Sequence, residues 1–265
     1  MGPFIAASFG NTRVHLGRFN DEAFQEDVHL SIGDTPAIVN QVSAWLSDVD
    51  GDRVPVVVAS VQRSAAARFT SALSDIGSSA DVYTAGDDLP IPIGTQLDPE
   101  TITGVDRLLN AAAAFALLQE ACVIVDAGTA MTVDFVDGRG TFHGGAILPG
   151  AAMQLKALAR YTDALPEISF APPHGDEAFG RSTSQAMLQG VFYGLRGAVW
   201  KLTERYAEAY GAYPRVIATG GDAQLLFEHD DLVDRVVDNL ALLGIAECLR
   251  ATMTPDERAS GEDSG

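Results

Sequence analysis

Two stretches of the chain share one pattern, in which an apolar run, a glycine turn and a second extended run follow one another. The first stretch is FIAASFGNTRVHLGRF at residues 4–19, and the second is ACVIVDAGTAMTVDFVD at residues 121–137. A tight glycine turn between two apolar runs is typical of a β-hairpin. Because two such hairpins lie about half a chain apart, we predict two related lobes.

The segments around these hairpins alternate between strand and helix patterns. Residues 54–61, VPVVVASV, form a β-branched apolar run that is typical of a strand buried on both faces. The residue patterns predict helices over five segments: 64–73, 103–120, 151–160, 182–210 and 238–252. Strands that alternate with helices, together with hairpins, predict an α/β protein with mixed sheets flanked by helices.

The symmetry of the two hairpins places the boundary between the lobes near residue 117, although no linker marks it. We therefore expect one lobe over residues 1–117 and the other over residues 118–253. Residues 254–265, TPDERASGEDSG, are polar, and this composition predicts a disordered tail.

Three glycines, Gly190, Gly194 and Gly197, fall near one face of the helix expected over residues 182–210. Each glycine lowers the helix propensity of that segment. We therefore expect close helix packing at this face, either inside the subunit or across a dimer interface.

The charge balance limits the partners of the chain. It has 17 Lys and Arg residues and 36 Asp and Glu residues, which gives a formal net charge of −19. So acidic a chain is not expected to bind nucleic acid or an anionic membrane through a basic face. An anionic ligand would need backbone N–H groups, a helix N-terminus or a divalent cation.

Other features of the sequence favour a cytoplasmic protein. No apolar run reaches the length of a transmembrane helix, and no basic residue precedes the first apolar stretch, as one would in a secretory signal. Cys122 and Cys248 lie in apolar surroundings and are expected to be buried and reduced. The histidines show no metal-ligand spacing along the sequence: His15, His29, His143, His174 and His229.

The turns of the two hairpins are candidate phosphate sites. Asp126 ends an apolar run, and Gly128 and Thr129 follow it, so backbone N–H groups and a hydroxyl would point into one small space. Such a space holds phosphate or a hydrated cation, although an ordinary hairpin turn can have the same residues. Residues 10–12, GNT, form the matching turn, and two facing turns would hold the phosphates of one nucleotide from both sides.

Three further segments combine a helix end or a turn with polar side chains. Thr103 is expected to cap a helix whose first turn contains Asp106 and Arg107. In one interpretation, Asp106 complements the helix dipole and Arg107 is a surface charge. In the other, Asp106 accepts a hydroxyl proton and Arg107 binds an anionic substrate. Residues 181–184, RSTS, are an N-cap that also offers hydroxyls, and residues 219–222, TGGD, are either a nucleotide-binding turn or a plain glycine turn.

Taken together and in order, six motifs resemble those of the type III pantothenate kinases. They are SFGNT (8–12), GVDR (104–107), DAGTAMTVDFV (126–136), GGAILPG (144–150), FGRSTSQAMLQGVFYGL (179–195) and ATGG (218–221). The family belongs to the superfamily of actin-like proteins, sugar kinases and heat-shock ATPases. The resemblance therefore implies two related lobes of the actin-like ATPase (ribonuclease H-like) fold.

The resemblance implies an enzyme that transfers the γ-phosphate of ATP to the primary hydroxyl of pantothenate, the first step of coenzyme A biosynthesis. Asp106 matches the proposed catalytic base of the family. The residues that match pantothenate contacts are Gly104, Val105, Asp106, Arg107 and Thr183, with Arg107 near the carboxylate. The residues that match ATP-binding segments are Ser8, Phe9, Gly10, Asn11, Thr12, Arg13, Thr129, Gly220 and Gly221.

The resemblance also implies the cofactors and the assembly. The cofactors would be ATP, magnesium and a monovalent cation, either potassium or ammonium, with Asp126 as a ligand of the monovalent ion. Members of the family are homodimers whose substrate pocket is completed across the interface. Neither nucleic acid nor a membrane is an expected partner.

One residue departs from the family pattern. The first phosphate motif of the family reads Asp-x-Gly-Asn-Thr, and Ser8 stands where that Asp belongs. In this superfamily the Asp organises the magnesium on the ATP phosphates, and losing one such electrostatic contact commonly costs about 2 to 4 kcal/mol. The chain could be a slow kinase, a kinase that recruits another acid such as Asp134, or a degenerate member that binds nucleotide or pantothenate as a regulator. A kinase of the same superfamily with another hydroxyl substrate is a further alternative.

Overall fold

A computed structural model describes residues 2–20, 23–49, 53–75, 79–173 and 178–252. The tail expected over residues 254–265 and the histidine at position 174 lie outside these ranges. The strands are β1 (Phe4–Phe9), β2 (Arg13–Asn20), β3 (Ala23–Ser31), β4 (Val54–Ser60), β5 (Ala80–Thr84), β6 (Gly94–Thr95), β7 (Cys122–Ala127), β8 (Ala130–Val136), β9 (Thr141–Pro149), β10 (Arg215–Thr219) and β11 (Arg235–Val236). The helices are α1 (Thr35–Ser47), α2 (Arg63–Asp75), α3 (Val105–Leu118), α4 (Ala151–Arg160), α5 (Thr183–Tyr210), α6 (Ala223–Phe227) and α7 (Leu240–Thr252).

Contacts between residues group the chain into two compact units. Unit 1 is Met1–Ile93 with Glu100–Ala116 and Leu240–Gly265, and unit 2 is Gly94–Pro99 with Leu117–Asn239. The second lobe expected over residues 118–253 includes the last helix, but α7 packs within unit 1. The cause is its apolar face, on which Leu242 and Ile245 are fully buried. The lobe boundary near residue 117 stays a prediction.

Unit 1 is built on a five-stranded mixed sheet in the order β3-β2-β1-β4-β5. Strand β2 is antiparallel to both of its neighbours, β1 and β3, and β4 and β5 continue the sheet in parallel with β1. The odd residues of β1 pack with α1 and α2 in one core, and the even residues Phe4 and Ala6 pack with α3 and α7 in another. Because successive side chains of a strand point to opposite faces, helices cover both faces of this sheet.

Unit 2 is built on a six-stranded mixed sheet in the order β11-β10-β7-β8-β9-β6. Its strands β9-β8-β7-β10-β11 repeat the order and directions of the five strands of unit 1, with an antiparallel hairpin pair followed by two parallel strands. The short strand β6 extends the other edge beside β9. The expectation of two related lobes with mixed sheets flanked by helices is therefore confirmed.

Helix α5 covers one face of the sheet of unit 2. Its residues Met187, Val191 and Leu195 are buried in one core with Val123 and Val125 of β7. The helix begins after Ser182, whose hydroxyl accepts a hydrogen bond from the backbone N–H of Gln185 (3.2 Å). The Gln185 side chain accepts one in return from the backbone N–H of Ser182 (3.1 Å), which completes a capping box. The N-cap expected in this segment is confirmed.

The cap expected at Thr103 is wrong. Helix α3 begins at Val105, and the Thr103 hydroxyl is buried without a hydrogen-bond partner among the described residues. The first turn is stabilised instead by Asp106, whose Oδ1 accepts a hydrogen bond from the backbone N–H of Arg107 (2.8 Å). Gly104 separates Thr103 from the helix, so the hydroxyl does not reach an N–H of the first turn.

The three glycines of α5 do not pack closely against another element of the described chain. No described heavy atom lies within 4 Å of a Cβ built on Gly190, Gly194 or Gly197. Of the two explanations offered by the sequence, packing inside the subunit is therefore wrong for the described residues. The glycine face of the helix is exposed.

Two further expectations concern burial and membranes. Cys122 and Cys248 are buried and unpaired, and burial raises the pKa of each thiol to about 12. Both thiols are therefore protonated and unreactive at neutral pH. In the described part of the chain, no helix has the length and apolar character needed to span a bilayer.

Helix α7 approaches α3 so closely at Gly244 that a side chain would collide with backbone. A Cβ there would overlap the carbonyl oxygen of Leu109 and lie 2.8 Å from the Leu109 Cβ. We expect Gly244→Ala to lower the free energy of unfolding by about 1–3 kcal/mol, because the two helices must separate. Thermal melting measures this loss, at roughly 2–4 °C per kcal/mol for a chain of this size.

The control is Gly33→Ala, which makes the same change in the exposed turn before α1, where the nearest described atom, Oγ of Ser31, is 3.9 Å from the position of the Cβ. It should change the free energy of unfolding by no more than about 0.5 kcal/mol, as is usual for an exposed position away from the core. Equal melting temperatures for the two variants would contradict the close approach of α7 to α3.

Candidate functional site

The turn between β1 and β2 is the first candidate segment in unit 1. The backbone N–H of Gly10 donates to the carbonyl of Arg13 (3.0 Å), which closes the turn. Asn11, Thr12 and Arg13 are exposed in this turn. Phe9 is buried in the core, so this residue can offer a ligand only its backbone.

Ser8 is half-buried at the end of β1, directly before this turn. In the ladder its cross-strand partner on β2 is His15. A hydroxyl at this position can hydrogen-bond a water or a phosphate oxygen, but it supplies no negative charge for a cation.

The start of α3 is the second candidate segment in unit 1. Asp106 is half-buried there, and burial raises the pKa of its carboxyl above the ordinary value of 3.8, although hydrogen bonding and charge from Arg107 act in the opposite direction. A Cβ on Gly104 would lie 2.6 Å from Oδ1 of Asp106, so only glycine leaves room for the carboxylate in this position. A carboxyl with a raised pKa at a helix start is suited to accept a proton.

Val61 connects these two segments of unit 1. Its backbone N–H donates to the carbonyl of Phe9 at the end of β1 (3.1 Å). Its Cγ1 lies 3.8 Å from the position of a Cβ on Gly104. The structure therefore brings the GVDR segment close to the end of β1, which the sequence did not predict, since 94 residues separate Gly10 from Gly104.

In unit 2, the turn after β7 and the turn after β10 lie against each other. Oδ1 of Asp126 is 2.5 Å from the position that a Cβ on Gly220 would take and 3.4 Å from that of Gly128. The backbone N–H of Asp222 donates to the carbonyl of Ala127 (3.0 Å). Two glycines thus leave a cradle around the Asp126 carboxylate, with Gly221 in the same turn as Gly220.

Thr129 lies beside the end of β9. Its carbonyl accepts a hydrogen bond from the backbone N–H of Gly150 (3.1 Å), and a Cβ on Gly150 would overlap the carbonyls of Gly128 and Thr129. Gly150 is therefore part of this site, although at the sequence level it had no role beyond its place at the end of the GGAILPG motif. The Pro-Gly pair after a strand was the available signal.

Thr183 lies elsewhere in unit 2, at an apolar groove between α4 and α5. Pro149, Met153 and Leu158 line one wall of the groove, and Met187 and Gly190 line the other. Thr183 is exposed at the first residue of α5. Thr183 is therefore not part of the Asp126 cradle. Pro149, which lines the groove, directly precedes Gly150, which lies against Gly128 and Thr129.

Asp134, the acid considered as a substitute for the missing carboxylate, is only 2% exposed. A Cβ on Gly145, its partner on β9, would lie 2.5 Å from its Oδ1. The carboxylate is therefore covered inside unit 2 and does not face the solvent.

Comparisons with known proteins identify the family. A family model for type III pantothenate kinase matches residues 4–205. A type III pantothenate kinase of Dehalococcoides mccartyi (strain CBDB1) is 33% identical over 247 residues, which cover 91% of this chain and 93% of that relative. The chain belongs to the type III pantothenate kinase family. It is therefore an enzyme of the ATP-dependent kinase class.

Solved structures support the fold. A protein from Campylobacter jejuni assigned to the Baf family of transcriptional activators superposes with a TM-score of 0.61 at 19% identity, over 94% of this chain and 98% of that chain. A protein from Sinorhizobium meliloti assigned as a 2-dehydro-3-deoxygalactonokinase superposes with a TM-score of 0.58 at 16% identity, over the same shares. The fold is that of the actin-like sugar kinases, as the motifs implied.

The cradle around Asp126 generates a prediction about Gly220. This residue has a φ of +95°, and a Cβ would also lie 2.7 Å from the backbone of Ala127. We expect Gly220→Ala to weaken ATP binding at least tenfold, because the two turns must separate. Isothermal titration with ATP measures the loss, and thermal melting reports the accompanying strain.

The control is Gly211→Ala at the end of α5, where φ is +85° but the described chain leaves open space. It separates the cost of a left-handed backbone, about 1–2 kcal/mol, from the collision. If the two variants lost the same stability and both kept ATP affinity, the cradle would have no part in nucleotide binding.

Proposed function

We infer that this kinase transfers the γ-phosphate of ATP to the primary hydroxyl of pantothenate, in the first step of coenzyme A biosynthesis in the cytoplasm. Membership of the family supports the reaction, and the environment of Asp106 is the single observation that carries the mechanism. A half-buried carboxyl with a raised pKa stands at the start of α3, next to a cation, Arg107.

Asp106 is the proposed catalytic base. Its carboxylate accepts the proton of the pantothenate hydroxyl while the oxygen of that hydroxyl bonds to the γ-phosphorus. The bond from the γ-phosphorus to the oxygen that bridges it to the β-phosphate breaks, and ADP leaves with that bond's electrons. Because phosphoryl transfer depends mainly on positioning and on neutralising charge, the base contributes by orienting the hydroxyl as well as by taking its proton.

The remaining substrate contacts are assigned from the same motifs. Gly104 and Val105 would contact pantothenate through backbone at the start of α3, and the guanidinium of Arg107 would bind its carboxylate. Arginine is suited to this because its N–H groups match the two oxygens of a carboxylate. Thr183 would contact pantothenate from the groove between α4 and α5, where its hydroxyl is exposed.

The ATP contacts are assigned to three turns. Residues 8–13 would bind phosphate through the backbone and side chains of an exposed hairpin turn. Thr129 would bind from the turn after β7, and Gly220 and Gly221 from the turn after β10. Glycine-rich turns after strands suit this role because their N–H groups can approach phosphate closely.

The residues present suit a monovalent cation better than they suit magnesium. Asp126 supplies a hard carboxylate oxygen inside a cradle that a Cβ on Gly220 would fill, and this supports a monovalent potassium or ammonium ion. Magnesium would neutralise charge on the ATP phosphates, but residues 8–13 contain no acid. Ser8 would hold a magnesium-bound water by a hydrogen bond, in place of a charged contact.

A homodimer is part of the proposal. Two large apolar side chains that line the groove are exposed, Met153 (44%) and Tyr161 (81%), and so is Tyr193 of α5 (55%). The glycine face of α5 is open beside them. An exposed apolar patch next to a helix face without side chains fits close approach of a second copy.

Asp106→Asn should abolish turnover of pantothenate, with a fall in kcat of at least about a hundredfold, because the amide cannot accept the proton. Phosphopantothenate formed from ATP, magnesium and potassium is measured by mass. In the wild type, kcat/KM should fall as the pH is lowered through the pKa of Asp106, at a midpoint above 3.8.

Stability separates this loss from unfolding. Because the pKa of Asp106 is raised in the folded state, its charge lowers stability at pH 7, and this cost disappears as the pH falls below the unfolded value of 3.8. Asp106→Asn should therefore melt at or above the wild-type temperature at pH 7. Full turnover by Asp106→Asn would overturn the assignment of the base.

The same assay with Ser8→Asp measures the missing carboxylate. Product from the wild type shows that serine is tolerated, and Ser8→Asp should then raise kcat. Product from Ser8→Asp alone would mean that the natural chain has lost turnover at one residue, and the regulator alternative would replace the kinase.

Gly194→Arg should convert a dimer into a monomer, because the charged side chain enters the open face of α5. Size-exclusion chromatography with light scattering should show twice 27.9 kDa for the wild type and 27.9 kDa for the variant. Leu225→Arg is the control, since Leu225 is an exposed apolar residue of α6 (45%) outside the groove. A wild-type monomer would contradict the dimer.

A further inference from the structure

Three side chains that could hold a metal ion meet on strands β2 and β3 of unit 1. They are His15, Asp27 and His29, and one ligand atom from each lies within 4.8 Å of the other two. Nε2 of His15 is 2.5 Å from Oδ2 of Asp27, and Nε2 of His29 is 3.7 Å from the same oxygen. The two imidazole rings are stacked, with centroids 3.8 Å apart.

The register of the two strands explains this meeting. His15 and His29 are direct cross-strand partners, and Asp27 is opposite Gly17. Since side chains alternate along a strand, all three side chains project from the same face of the sheet. The space at Gly17 is filled by Leu242 of α7, whose Cδ1 lies 2.6 Å from the position of a Cβ on Gly17, and the Asp27 carboxylate lies against His15.

The exposure of the three residues suits a ligand from solution. The His15 side chain is 12% exposed, and those of Asp27 and His29 are 35% and 51% exposed. The inner imidazole is held by the protein, and the outer two groups can be reached by solvent. The net charge of −19 favours a cation at such a site over an anion.

We propose that His15, Asp27 and His29 form a binding site for a divalent transition-metal ion of the zinc class. Two imidazole nitrogens and one carboxylate oxygen are ligands that such ions prefer, whereas magnesium prefers oxygen alone. Three protein ligands leave a fourth position for water. The site is distinct from the cations that the kinase reaction uses, and it does not rest on the proposed function.

The distances require little rearrangement. In a tetrahedral site with bonds of about 2.0–2.1 Å, neighbouring ligand atoms are separated by roughly 3.3 Å. The short contact between His15 and Asp27 must open slightly, and His29 must close toward Asp27 by a fraction of an ångström. Because stacked rings direct their Nε2 lone pairs nearly parallel, the exposed His29 ring must also rotate out of the stack to aim its Nε2 at the ion that His15 binds.

The position of the site gives it a structural consequence. His15 is the ladder partner of Ser8, which directly precedes the phosphate turn of the first hairpin. Strand β3 is the edge of the sheet of unit 1. A bound ion would link this edge strand to β2. It would also place positive charge one strand away from Ser8, the residue that replaces the carboxylate of the family.

Isothermal titration with Zn²⁺, on the full chain after removal of any affinity tag, tests the site. We expect one ion per chain, bound in the presence of millimolar magnesium. A saturating concentration should also raise the melting temperature by about 3 °C or more, because the ion binds only the folded chain. The visible absorption of bound Co²⁺ provides an independent signal of nitrogen and oxygen ligands.

The variant His29→Gln removes an outer ligand from a half-exposed position and should fold normally. We expect it to weaken Zn²⁺ binding at least tenfold, and His15→Gln to do the same. The matched control is His143→Gln, because His143 also pairs with a carboxylate, that of Asp137 at 2.9 Å, but belongs to no group of three candidate ligands among the described residues. This variant should keep the wild-type affinity.

Two results would overturn the proposal. One is the absence of Zn²⁺ and Co²⁺ binding by the wild-type chain. The other is binding that His15→Gln and His29→Gln leave unchanged, which would place the ion elsewhere. If His29→Gln lowered the melting temperature without metal, Asp27→Asn would replace it, since it removes a ligand and keeps the volume of the side chain.

Discussion

Both units are organised by a parallel pairing between the first strand of the hairpin and a strand that comes later in the chain. In unit 1, β1 pairs in parallel with β4, and in unit 2, β7 pairs in parallel with β10. The carboxyl ends of parallel strands meet at one edge of a sheet. For this reason the turns after β7 and β10 converge on Asp126, and Val61 after β4 lies against the end of β1. The candidate site residues of each unit therefore lie at the carboxyl ends of its parallel strands.

Close backbone approach is the second constraint, and it explains why the candidate segments are rich in glycine. A side chain on Gly104 would displace the Asp106 carboxylate, and one on Gly220 would displace that of Asp126. In both places the missing Cβ makes space for a carboxylate beside backbone. The raised pKa of Asp106 follows from the burial that this close packing creates.

The sequence predicted features that depend on local residues and missed those that depend on register. The duplicated hairpins, the span of α5 and its cap at Ser182 followed from turn and cap residues alone. The cap at Thr103 was wrong, since one intervening glycine shifted the helix start. His15 and His29 are 14 residues apart and showed no ligand spacing, because their pairing depends on the register of β2 and β3. The packing of α7 in unit 1 likewise depends on contacts distant in sequence.

The capping box of α5 engages the Ser182 hydroxyl and leaves the side chain of the next residue, Thr183, exposed. The Ser182 side chain is engaged with the backbone of Gln185, and Thr183 is exposed as the first residue of the helix. A change at Ser182 would loosen the helix start and so move Thr183, although Ser182 itself need touch no ligand. Selection at Ser182 would therefore act through the stability of the helix start, on which the proposed contact of Thr183 with pantothenate also depends.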